Sequence, residues 1–307
     1  MFNNSSKSVR GISKEEAQKR DYFGIFGRHF GHIFCANFWY VLTNSLFFIA
    51  AYLLFRVYFV GENGNNLVLI ASNILRGKNF LVPFVPFIPF MLIGPFTSGY
   101  TYLIRNYAKQ EPTFLISDFF EHTKNNLKQG LIVSSLSVIV GYLLTQAFVF
   151  YNYFFITNSL PLGVLYTLSA FVFALYLIMM FYIYPIMVTF KMSLKVILKN
   201  AWTFTMLKLP QNIILFIFLF GIDFGLFYIM SFVLYLPGIF YFFLLAFFLS
   251  GFTAFTANYY IWHVMDKYIV SYVKPKKTTN AVFNDDEYPD FDDEYSEDVQ
   301  IEDEYLL

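Results

Sequence analysis

The sequence predicts an all-α, polytopic membrane bundle of about six transmembrane helices, with cytoplasmic amphipathic helices and a disordered acidic C-terminal tail. Three observations carry that expectation. First, 57% of the 307 residues are hydrophobic, 22% are aromatic and only 14% are charged. A water-soluble domain of this size has no interior large enough for 42 Phe and 24 Tyr, so the bulk of them must face lipid. Second, the apolar residues fall into long runs. Third, the formal net charge of zero hides a division: there are 18 Lys and Arg against 9 Asp and Glu up to residue 273, and 3 against 12 from Lys274 onward. A basic body therefore carries an acidic tail.

In chain order, residues 1–32 read as a cytoplasmic N-terminal segment. Ser13-Lys14-Glu15-Glu16 has the Ser-x-x-Glu spacing of a capping box. Tyr22 to His32 mixes aromatics with Gly24, Gly27, Gly31, Arg28 and two histidines, the pattern of an interfacial helix. The polar start is too long and too mixed in charge for a cleavable signal, so the first span is expected to stay.

Six runs follow within a membrane domain of residues 33–273: Ile33 to Phe59, Phe80 to Leu103, Leu131 to Ile156, Leu160 to Phe190, Asn212 to Leu236 and Ile239 to Val264. Each exceeds the roughly 20 residues that a helix needs to cross about 30 Å of hydrocarbon. Thr157-Asn158-Ser159 and Pro237-Gly238 are so short that the runs they join must be antiparallel hairpins. The basic residues set the expected orientation, because cytoplasmic loops retain Lys and Arg. Of the 21, 18 lie in the N-terminal segment, in Arg105–Lys128, in Lys191–Lys208 or at the C-terminal end. Both termini are then cytoplasmic in a multi-pass protein of the cell membrane.

Two connectors read as amphipathic helices on the inner leaflet. In one, Leu115, Ile116, Phe119, Phe120 and Leu127 recur opposite Asp118, Glu121, Lys124 and Lys128; in the other, Lys191, Lys195 and Lys199 form a stripe before Trp202. Residues 274–307 read as the tail, with its 12 acids between Asn284 and Glu304, interleaved with Tyr288, Phe291 and Tyr295. Such a composition cannot bury enough apolar surface to fold.

Two features are candidates for function. Asp223 is the one carboxylate deep in an apolar run, where a charge costs about 2.5–3.5 kcal/mol on insertion scales. It is a candidate intramembrane polar site, and Gly221 and Gly225 beside it suggest a close helix contact. The second candidate is a helix break. Pro83, Pro86 and Pro89 remove backbone donors at every third position and Gly94-Pro95 follows. Irregular backbone at membrane depth is tolerated where protein or water covers it, as in the broken helices of transporters.

No Gly-Lys-Ser/Thr phosphate loop, Gly-x-Ser-x-Gly elbow or His-Glu-x-x-His helix occurs. We therefore expect no catalytic residues, no cofactor, no metal site and no nucleic-acid partner. The four histidines, His29, His32, His122 and His263, come without a completing Cys or carboxylate pattern. Cys35, the single cysteine, allows no internal disulfide.

The stretch Gly94-Pro95-Phe96-Thr97-Ser98-Gly99-Tyr100-Thr101-Tyr102-Leu103-Ile104-Arg105, with Ser117-Asp118-Phe119-Phe120 and Asn125 to Gln129, resembles the core signature of the YesL-like family of bacterial integral membrane proteins. Tyr184-Pro185, Lys199-Asn200-Ala201, Leu209-Pro210 and Met265-Asp266-Lys267-Tyr268 resemble its later stretches. The likeness spans roughly residues 30–270 and leaves out the acidic tail. It implies a setting beside carbohydrate-uptake systems. The expectation is a non-catalytic component associated with solute transport, working with transporter subunits in the bilayer. The alternative is a membrane scaffold or sensor whose tail recruits a basic cytosolic protein.

Overall fold

A computed structural model describes residues 22–57, 82–156, 160–233 and 244–270. The Ser13–Glu16 cap, the linker after the first span, the two hairpin turns, the beginning of the sixth run and the acidic tail lie outside the described residues. All the regular structure among the described residues is helical.

Helix α1 spans Tyr22–Phe55. A 3₁₀ segment, Val82–Leu92, leads into α2, Gly94–Lys109. Then come α3 (Leu115–Asn125), α4 (Leu127–Ile156), α5 (Leu160–Thr189), α6 (Leu194–Leu207), α7 (Leu209–Tyr228) and α8 (Ser250–Met265). Short π-helical turns extend α7 (Ile229–Val233), precede α8 (Leu245–Leu249) and follow it (Asp266–Val270). Four helices, α1, α4, α5 and α7, contain stretches long and apolar enough to cross a membrane, and the bent pair Pro83–Leu92 with Gly94–Lys109 would make five.

The exposed residues give the same answer. Leu42, Leu46, Ile49 and Leu53 form an uncovered stripe on α1, and Ile132, Leu136, Ile139 and Leu143 form another on α4. Continuous apolar faces of this kind are a liability in water and are ordinary against lipid.

Where the sequence suggested an interfacial segment ending at His32, α1 is one helix that runs through Gly24, Gly27 and Gly31 without a break. Its continuity comes from an aromatic ladder at four-residue spacing, with Tyr22, Phe26, Phe30, Phe34 and Phe38 on one face. Tyr22 packs on Phe255 and Tyr259, Phe26 on Phe252 and Phe255, Phe30 on Phe248, and Phe34 and Phe38 on Phe247. The partner numbers fall as the α1 numbers rise, so the strip from Phe247 to Tyr259 runs antiparallel to α1. Offset or edge-on ring pairs add about 0.5–1.5 kcal/mol each beyond burial.

The chain divides into two compact units. One comprises Met1–Val138 with Leu215–Tyr259, and the other Ile139–Ile214 with Tyr260–Leu307. In the first, α2 is the central element: 13 of its 16 residues are buried, including Ser98, Thr101, Arg105 and Asn106. It packs most extensively on α1 and α3 and continues from the 3₁₀ segment. In the second, α6 packs on α5 and turns Ile197, Asn200, Ala201, Phe204 and Thr205 inward. Lys191 precedes the first turn of α6, because Ser193 has extended backbone. The lysine stripe on the helix is therefore Lys195 and Lys199.

Candidate functional site

The proline run folds as a 3₁₀ helix because its repeat matches that geometry. With three residues per turn, positions i and i+3 eclipse. Pro83, Pro86 and Pro89 thus share one edge, and all three are buried, whereas Phe87 and Ile88 face outward. The axis then bends by 50° into α2. The break falls at Ile93, and Pro95 does not interrupt α2 but sits in its first turn, where its missing N–H would be unpaired in any case.

Glycine permits the close packing around that bend. A Cβ on Gly94 would collide with the Gly130 carbonyl and the Ser134 hydroxyl, and one on Gly130 would lie 2.9 Å from the Pro95 nitrogen. Farther along, a Cβ on Gly99 would strike the Phe119 carbonyl and the Thr123 hydroxyl. Backbone therefore meets backbone at two levels, fixing α2 against α4 and then against α3. Ser134 secures the bend by donating to the Met91 carbonyl, in the last turn of the 3₁₀ segment. At its far end α2 closes with Gln110 in the left-handed region (φ 62°). The Gln110 N–H donates to the Tyr107 carbonyl and the Glu111 N–H to the Asn106 carbonyl, satisfying groups a helix end leaves open.

Along α2, polar side chains are gathered in two clusters. In the first, the Asn37 side-chain oxygen accepts from the Tyr100 hydroxyl (3.2 Å) and from the Ser250 hydroxyl (3.0 Å), tying together α1, α2 and α8. Tyr40 stacks on Tyr100 with ring centres 4.7 Å apart, and its hydroxyl pairs with Thr97 at 3.0 Å. Asn37 is fully buried. Hydrogen bonds between membrane helices contribute about 0.6–2 kcal/mol each.

The second cluster lies at the α2–α3 corner. The Arg105 guanidinium sits 4.8 Å above the centre of the Tyr102 ring, and His122 stacks on that same ring. Arg105 is buried and donates through Nε (2.9 Å) and Nη2 (2.6 Å) to the Asn106 side-chain oxygen. Burial, together with the Arg105 charge, holds His122 below the usual imidazole range, against the smaller pull of Glu121 and Asp118. Its neutral form therefore stabilises the fold fully above the unfolded value of about 6.5, and that contribution is lost as pH falls through the depressed folded value. Between pH 7 and pH 5 the wild-type melting midpoint is expected to fall further than that of His122→Gln. Equal falls in a thermal-shift titration would remove His122 from the account.

His29 and His32 do not meet His122. Their rings are 5.9 Å apart and both pack on Tyr107. Among the described residues no group of three His, Cys, Asp or Glu is placed to hold a metal ion.

Pro83, Pro86, Pro89, Gly94 and Pro95 form one bent element in the first unit; Asp223, which belongs to the same unit, is half-buried on α7. A Cβ at Gly221 or Gly225 would meet nothing within 4 Å. The close helix contact expected from those two glycines is therefore not found among the described residues. Sequence reasoning passed over Asn37 and Tyr100, although Asn37 and Asn44, seven residues apart in an apolar run, are both fully buried. That spacing was the available signal, since two amides on one face of a span require partners.

In the second unit, Asn212 has the corresponding role. Its Oδ1 accepts from the Tyr182 hydroxyl at 2.6 Å, and its Nδ2 donates to the Phe204 and Thr205 carbonyls, each at 3.1 Å. The amide fastens α5 and the end of α6 to the first turn of α7.

Fold and composition together define an α-helical membrane protein with several apolar helices long enough to span a bilayer. Comparison with protein-family models, curated proteins and solved structures finds no match.

Proposed function

We propose that this chain is a six-span protein of the cell membrane with both termini in the cytoplasm. It would act as a non-catalytic component associated with solute transport. The observation that supports this most is the bent element formed by the 3₁₀ segment and α2. Transporters build their binding regions from discontinuous helices of this kind, buried within a bundle. Around this one lie hydroxyls and amides, groups that bind and orient by hydrogen bonding. The solute class, carbohydrate, follows from the YesL-like resemblance. The sixth span would comprise α8 and the apolar residues ahead of it. The segments α3 and α6 would lie on the inner face, and the acidic tail would hang beneath them.

Uptake of a panel of labelled mono- and oligosaccharides, measured with and without the gene, tests the reading. Uptake of at least one sugar is expected to fall several-fold on deletion and to return with the wild-type chain. Asp223→Asn, expressed to the same level, is expected to restore it only in part. Unchanged uptake of every sugar in the deletion strain would overturn the transport role. Full restoration by Asp223→Asn would remove Asp223 from it.

A further inference from the structure

The second unit has an unbalanced charge. Its described residues include five lysines, Lys191, Lys195, Lys199, Lys208 and Lys267, and a single carboxylate, Asp266. The other acids of that unit are the 12 that lie beyond residue 284. Lys195 and Lys199 sit on successive turns of α6 and Trp202 follows on the next, all on one face. All three are exposed, Trp202 at 49%. The opposite face is committed to packing through Ile197, Ala201 and Phe204.

The chain leaves the described region at the C-terminal end of this helix, beside its packed face. Lys208 Nζ lies 5.1 Å from the centre of the Tyr268 ring, and Tyr268 also packs on Phe204, with ring centres 6.4 Å apart. The last described residues are thus held at the C-terminal end of α6. From Val270 to Asp285, about fifteen residues of chain can reach as far as about 50 Å. Helix α6 is only about 21 Å long, so the acidic segment reaches every turn of it.

We propose that the segment Asp285–Glu304 docks within the same molecule on the lysine-and-tryptophan face of α6, with Lys195, Lys199 and Trp202 as its receptor. Its carboxylates match the lysines, and its interspersed Tyr288, Phe291 and Tyr295 match Trp202. An anionic bilayer surface would repel the same segment. Occupancy of the face by the tail therefore competes with occupancy by headgroups, and the inference stands independently of the transport role.

The test uses the full chain in nanodiscs of zwitterionic lipid. A zero-length carbodiimide is expected to join Lys195 and Lys199 to carboxylates of Asp285–Glu304 within one chain, several-fold less at about 0.5 M salt, where charges are screened. Truncation after Thr279 is expected to speed acylation of Lys195 and Lys199 several-fold. In the full chain, Lys195→Gln with Lys199→Gln, both surface changes, should speed proteolysis within residues 280–307. Links formed only between chains or only to other lysines would overturn the proposal. So would acylation rates unchanged by truncation, or protection of the lysines only when anionic lipid is added.

Discussion

Gly94→Ala is expected to destabilise the protein by about 1–3 kcal/mol, toward the upper end of the range for an overpacked site. The added methyl would occupy the space of the Gly130 carbonyl and the Ser134 hydroxyl. Backbone at that point cannot turn aside as a flexible side chain would, so α2 and α4 must separate. Separation also pulls Ser134 from the Met91 carbonyl and loosens the 50° bend. Gly221→Ala and Gly225→Ala are the controls, since no atom stands within 4 Å of a Cβ at either position. With no clash to offset it, the gain in helix propensity there, about 1 kcal/mol, favours the alanine. Thermal unfolding in detergent should therefore show a large downward shift for Gly94→Ala and little change or a small rise for the controls. A Gly94→Ala midpoint equal to wild type would mean that the α2–α4 contact is not as close as described.

Asn212→Ala is expected to cost about 2 kcal/mol or more, the penalty for leaving buried polar groups without their partner. The substitution takes the acceptor from the Tyr182 hydroxyl and the donor from the Thr205 carbonyl. The Phe204 carbonyl suffers less, because it also accepts from the Lys208 N–H at 3.2 Å. Tyr182→Phe removes only one donor and should cost about 1 kcal/mol. The double variant should then fall short of the sum, because both single changes break the same bond. Strict additivity in a double-mutant cycle would argue that the two side chains do not meet.

Much of the helical framework could be read from hydrophobic run length alone. The α4, α5 and α7 helices occupy the third, fourth and fifth runs to within a few residues. The amphipathic α3 emerged from its helical spacing of Phe119 against Asp118 and Lys124. The continuity of α1 was not legible, because three glycines and two histidines read as an interfacial segment. What holds that stretch in the helix is a ladder of rings whose partners, Phe247 to Tyr259, are more than two hundred residues away. The position of the break was only partly legible: three prolines at i, i+3 announced irregular backbone, but the place of Pro95 in a first turn depends on where α2 begins. Asn37 shares a helix face with Asn44, seven residues on, but neither that pair nor the lone Asn212 says which partner it will find. The role of each amide becomes visible only when Tyr100 or Tyr182 is brought beside it. Gly221 and Gly225 show the converse, a small-residue spacing without a neighbour among the described residues.

Cysteine labelling of intact cells, in a Cys35→Ser background, tests the membrane reading most directly. Asn158→Cys and Pro237→Cys should react with an impermeant maleimide from outside. Lys195→Cys and Asn284→Cys should react only after the membrane is opened. Asn158→Cys protected until lysis, or Asn284→Cys labelled in sealed cells, would contradict the six-span arrangement with both ends inside.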